Sequence, residues 1–173
     1  GISAALLMAT ARAILRTVVK VNSPAGVVQC TARALDSDLN RAGAFITLFH
    51  AQLEVATGDL RFVDAGHGYV LLRRVSGLVE ELKPWGLPIG VDSAERYHAG
   101  MVRMNPGDTL VIYSDGLSEA RPDLFNDRES VAAFVARSGD PAEIVQRVKQ
   151  SVAHIKPLPD DLTIVVLRRQ SIN

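Results

Sequence analysis

The spacing of apolar positions changes character along the chain, and those changes divide it into helical and extended stretches. Ile2, Leu6, Leu7, Ile14, Leu15, Val18 and Val19 cluster on one helical face, with alanines suited to close packing, and predict a helix over residues 2 to about 20. Ser23 and Pro24 form a helix start signal, so PAGVVQCTARALDSDLNR predicts a second helix to about residue 40. From Ala44 the period shortens. AFITLFHAQLEV is rich in β-branched and aromatic residues, a turn at 56–59 follows, and LRFVDAG completes a hairpin. Gly66 and Gly68 flank His67 before the strand YVLLRR, and Ser76 and Gly77 turn the chain into LVEEL, so this region predicts a β-meander.

Residues 83–91, KPWGLPIGV, carry Pro84, Gly86, Pro88 and Gly90 and predict an irregular loop. RYHAGMVRM predicts a strand, and the turn at 105–108 leads into the strand TLVIYS. Helical spacing then returns in DRESVAAFVAR (127–137) and in PAEIVQRVKQSVAHI (141–155), the latter opening on proline and carrying Lys149 late. A final strand spans 162–169. Helices, strands, helices and one strand together predict an α+β sandwich with antiparallel sheets between helical layers, as a single domain over residues 1–173.

Composition adds mainly exclusions. The chain is 47% hydrophobic and 22% charged, ordinary for a globular protein. Its 19 basic and 19 acidic residues cancel, so no global field gathers nucleic acid or an anionic membrane. The single cysteine, Cys30, rules out an intrachain disulfide and reads as a core thiol. The apolar opening lacks a basic leader, is interrupted by Arg12 and Arg16, and is shorter than the ~20 residues of a spanning helix. It reads as a packed helix of a cytoplasmic protein.

Candidate chemistry concentrates where strands meet acids. TLVIYSDGLSEAR ends an apolar strand on Ser114, Asp115 and Gly116, and no partner strand follows closely. Asp-Gly is also a common hairpin turn, which is the bland alternative. Asp160 and Asp161 immediately precede the last strand, where they read either as a solvated turn or as cation ligands. Adjacent carboxylates repel unless a cation lies between them, and hard divalent ions favour such oxygen donors. Hydrolysis of a phosphate is the chemistry such a site suits.

The ordered series AALLMA, TLFHAQLEVATGDLRFVDAGH, GLPIGV, PGDTLVIYSDGLSEAR and DDLTIVVLRR resembles the SpoIIE/RsbU-like branch of the PP2C-type metal-dependent serine/threonine phosphatases over essentially the whole chain. The resemblance implies two antiparallel sheets face to face between pairs of helices, and a site for two Mn²⁺ or Mg²⁺ ions that activate a water. It implies Asp115 and Asp160 as metal ligands, Asp161 as the residue orienting its loop, and Gly116 as the residue permitting the close turn that aims Asp115. His67 matches a recurring motif with a structural reading, and His50, His98 and His154 read as ordinary positions. In the family an Asp-x-Ser-Gly-x-Gly segment precedes AALLMA. Gly1 would be its last glycine, so the chain is expected to lack the bridging ligand and N-terminal strands, bind metal weakly and turn over little. Exposed sheet edges would then favour a homodimer.

The resemblance further implies a phosphorylated anti-sigma-factor antagonist as substrate and an upstream sensor or receiver domain as partner. A non-catalytic pseudophosphatase module that docks a signalling partner is the rival reading.

Overall fold

The computed structural model describes residues 2–20, 23–83 and 86–171. Gly1 and Pro84 therefore lie outside the described residues. Helices α1 (Ile2–Val18) and α2 (Pro24–Ala42) come first. The ends of α2 follow from its sequence. Extended Ser23 caps it by accepting from the Gly26 amide at 3.3 Å, Pro24 fits the first turn, and Gly43 closes it in the left-handed region at φ 58°. Strands β1 (Leu48–Leu53) and β2 (Asp59–Ala65) pair antiparallel, with Leu48 opposite Ala65 and Leu53 opposite Leu60. Strands β3 (Val70–Arg73) and β4 (Val79–Glu81) form a second hairpin, and β5 (Gly100–Arg103) and β6 (Thr109–Tyr113) follow. Helices α3 (Gly116–Ala120), α4 (Arg128–Ala136) and α5 (Pro141–Val152) lead to β7 (Ile164–Arg168).

The strands form two sheets, ordered β1-β2-β5 and β4-β3-β6-β7, and the helices and antiparallel sheets make an α+β protein as expected. The meander is corrected, because β2 and β3 belong to different sheets. The cause lies between them. The buried carboxylate of Asp64 accepts from the amides of His67 at 2.7 Å and Gly68 at 2.9 Å, and Gly66 and Gly68 take φ of 76° and 74°. Such backbone turns the chain out of the ladder, and a side chain would resist it.

The chain forms two compact units. The first comprises Gly1–Val55, Asp59–Gly68 and Lys83–Val102. Here α2 buries Val28, Leu35 and Leu39 together with Val63, Ala65, Ile89 and Tyr97, while α1 adds Ala11. With Pro24, Val27 and Thr31 also buried, the stripe recurs every three to four residues along α2, as an amphipathic helix requires. Cys30, expected in the core, is only half-buried. The strand predicted from residue 96 begins at Gly100, because the segment before it is tied elsewhere: the Tyr97 hydroxyl donates to the Leu87 carbonyl at 3.1 Å.

The second unit comprises Ala56–Gly58, Tyr69–Leu82 and Arg103–Asn173. Its central strands β3 and β6 are buried almost throughout, and Leu71, Val111 and Tyr113 meet Leu117, Phe125, Val131, Val135, Ile144 and Val148 from the helical segments. Asp127 and Ser130 close a reciprocal capping box at the start of α4, and Asp140 caps α5 ahead of Pro141. The tight turn entering β6 is locked by Asp108, which is 1% exposed. Its carboxylate accepts from Asn105 N at 2.8 Å, Val75 N at 2.9 Å and Arg74 Nη1 at 3.0 Å.

Replacing Asp108 by alanine strands two amides. Arg74 is partly exposed and keeps Glu80, so the loss should lie near the lower end for a broken buried pair, about 3 kcal/mol, measured by urea unfolding. A second expectation concerns His50, whose Nε2 is buried without a hydrogen-bond partner and whose pKa burial lowers from 6.5. The unfolded chain then binds a proton that the fold refuses. Stability should be fully present above pH 6.5 and fall as pH drops through that value toward the folded pKa; thermal melts of His50→Gln should lack that component.

Candidate metal centre

The site grows from the end of the β6–β7 ladder in the second unit. The register runs from Thr109 opposite Arg168 to Tyr113 opposite Ile164. One residue further, Ser114 N donates to the Thr163 carbonyl at 3.0 Å. The backbone then leaves the strand: the Ser114 carbonyl accepts from Leu117 N at 3.2 Å and the Asp115 carbonyl from Glu119 N at 3.0 Å, opening α3. Asp115 stands at the N-cap with helical backbone, and its exposed side chain makes no capping hydrogen bond. Its carboxylate is thus presented to solvent at a strand end.

The partner turn carries Asp160 and Asp161, both exposed. Asp160 Oδ1 accepts from the Asp161 amide at 2.7 Å, which fixes one carboxylate oxygen and leaves Oδ2 outside that bond. The Asp161 carbonyl accepts from Ser114 Oγ at 3.2 Å. Gly116 is buried, and a Cβ built on it would lie 2.4 Å from the Asp161 carbonyl oxygen. The reason for glycine here is therefore close backbone approach, since Gly116 is helical and does not take a positive φ. Of the four residues singled out from sequence, Gly116 and Asp161 touch, and Asp115 and Asp160 are their immediate chain neighbours.

The surroundings hold these turns in place. Tyr113 is buried, packs on Tyr69 with ring centroids 5.3 Å apart, and burial pushes its phenol up to about 12, so it stays neutral. Beyond α3, Arg121 Nη1 donates to the Ser151 carbonyl at 2.5 Å, which ties α3 to the end of α5. Arg121 also grips Asp123 through two bonds of 2.8 and 2.7 Å, and that contact lowers the Asp123 pKa. Neither Ser114 nor Arg121 received a role from sequence reasoning. The available signal for Ser114 was a hydroxyl placed where a strand becomes a helix; Arg121 carried none, because its partner lies 30 residues away.

Two exposed carboxylates on adjoining turns are hard oxygen donors of the kind Mg²⁺ and Mn²⁺ accept, and Mg²⁺ commonly takes only one or two carboxylates beside several waters. The donor chemistry fits such an ion. The number of donors makes the site partial, because no cluster of three His, Cys, Asp or Glu able to hold a metal occurs among the described residues. Gly116→Ala should force the Asp161 backbone away and destabilise the fold by about 1–3 kcal/mol, read by urea unfolding; unchanged stability would show that the two turns separate freely.

The family described as Stage II sporulation protein E (SpoIIE) matches residues 1–170. Protein IcfG of Synechocystis sp. is 27% identical over 131 residues, covering 72% of this chain and 21% of that protein. The phosphoserine phosphatase RsbU of Bacillus subtilis is 25% identical over 178 residues, covering 98% of this chain and 52% of RsbU. The chain thus spans about a fifth and about half of these two relatives. Among solved structures, the SiaA-PP2C domain of Pseudomonas aeruginosa superposes with a TM-score of 0.79 at 20% identity, covering 97% of this chain and 71% of that one, which establishes a shared fold. The chain belongs to the family described as Stage II sporulation protein E (SpoIIE).

Proposed function

We propose that residues 1–173 form one phosphatase domain of a cytoplasmic bacterial signalling protein that removes phosphate from phosphoserine or phosphothreonine on a small partner protein of the anti-sigma-factor-antagonist class. The observation that carries this reading is the joining of two acidic turns, Asp115 beside Gly116 and Asp160 beside Asp161, by backbone contact. The similarity to RsbU, a phosphoserine phosphatase, supports the substrate class. No helix among the described residues is long and apolar enough to cross a membrane, which accords with the proposed compartment.

Asp115 and Asp160 would hold Mn²⁺ or Mg²⁺, which when bound would supply an activated water and stabilise charge on phosphoryl oxygens. Asp161 holds the Asp160 carboxylate through its amide and fixes its loop through its carbonyl. Gly116 admits that carbonyl. Exposure of both acidic turns leaves room for a phosphorylated side chain on a protein surface to approach.

A second reading, a non-catalytic module that docks a signalling partner, is favoured by the lack of a three-ligand cluster among the described residues. The two separate in one assay. The full-length protein should release phosphate from a phosphoserine protein only with Mn²⁺ or Mg²⁺, and Asp115→Asn and Asp160→Asn should each lower kcat by ~10²-fold or more. Metal-independent turnover, or equal rates in parent and variants, would reject the assignment; no turnover with retained partner binding would establish the docking module.

A further inference from the structure

We infer that Ser114 is a positioning residue for the metal centre, a role that rests on the reading of Asp115 and Asp160 as ligands. In an antiparallel ladder, a hydrogen-bonded pair exchanges two N–H···O=C bonds. Ser114 and Thr163 occupy such a pair, yet only one of the two bonds is made by carbonyl: Ser114 N donates to the Thr163 carbonyl at 3.0 Å. The reciprocal donor, Thr163 N, is received by the Ser114 hydroxyl at 2.9 Å. The Ser114 carbonyl is absent from the ladder because it accepts from Leu117 N and starts α3.

The side chain thus substitutes for its own backbone. One residue both completes the last rung of the sheet and releases its carbonyl to begin a helix, so the chain can leave β6 at Asp115 without the rung opening. The same hydroxyl donates its proton to the Asp161 carbonyl at 3.2 Å. Ser114 Oγ therefore accepts from one residue and donates to another within the segment that follows Asp160. Gly116 closes the other side, its Cα facing that same Asp161 carbonyl. Asp115 lies between these two contacts in sequence, and Asp160 is one peptide from their common target.

The consequence is mutual positioning of the two carboxylates. A side chain without a hydroxyl leaves Thr163 N and the Asp161 carbonyl to water, which exposed groups tolerate in stability, but it releases the distance between the acidic turns. Threonine keeps the hydroxyl, and valine has the same shape without it.

The test is a Mn²⁺ titration of the ¹⁵N-labelled chain, reading paramagnetic broadening at the Gly116 and Asp161 amides, with amides of α4 as a check on folding. Ser114→Ala and Ser114→Val should need at least ~5-fold more Mn²⁺ for half-maximal broadening, in keeping with the 10–100-fold effects of residues that orient ligands. Ser114→Thr should match the parent. Unchanged Mn²⁺ dependence in folded Ala and Val variants would overturn the inference while leaving the ligand assignment standing, as would a Thr variant as weak as Ala. If the Ala and Val variants lose the parent's α4 spectrum while Thr keeps it, Ser114 is a folding residue and the inference also fails. Absence of broadening in the parent chain would remove the ligand assignment itself, and the role of Ser114 with it.

Discussion

The site depends on one constraint: a β6–β7 ladder that must end while the chain on one side of it changes from strand to helix. Two antiparallel strands with fixed register bring Ser114 opposite Thr163. Because Leu110, Val111 and Ile112 pair with Leu167, Val166 and Val165, a slip of β7 by one residue would turn Ile164 and Val166, which pack on the core, to the side where Val165 and Leu167 are exposed. The core of the second unit therefore fixes which residues meet at the ladder's end, and the acidic turns inherit their separation from apolar packing several residues away.

The same unit shows how polar groups secure the entry and exit of β6. At the entry Asp108 satisfies two amides and a guanidinium from a buried position. At the exit the bonds run through the exposed Ser114 hydroxyl and the Asp161 carbonyl. A buried carboxylate locks a turn because leaving its partners unmade is costly, whereas exposed bonds are weaker in net terms and direct geometry more than they stabilise. The entry thus serves the fold, and the exit sets the geometry of the candidate site.

Much of this was legible in the sequence. The stripe of Val28, Leu35 and Leu39, the Ser23–Pro24 start, and the apolar run ending at Asp115 are local patterns, and local patterns fix local elements. The family motif series marked Asp115 and Asp160 as candidate ligands in the same way. What could not be read locally was pairing. The separation of β2 from β3 follows from Asp64 reaching forward to the His67 and Gly68 amides, and nothing in the alternation of apolar residues distinguishes that from a meander. The need for glycine at 116 comes from the Asp161 carbonyl, 45 residues away in sequence, whereas an Asp-Gly pair by itself suggests only a turn. Ser114 was visible as a letter, but its role required the partner strand.

The turns bearing Asp115 and Asp160 are proposed to form one cation locus. Anomalous diffraction from crystals equilibrated with Mn²⁺ tests it directly. A peak is expected within direct bonding distance of both the Asp115 and the Asp160 carboxylates. Absence of a peak there, or a peak bound by only one of the two turns, would contradict it.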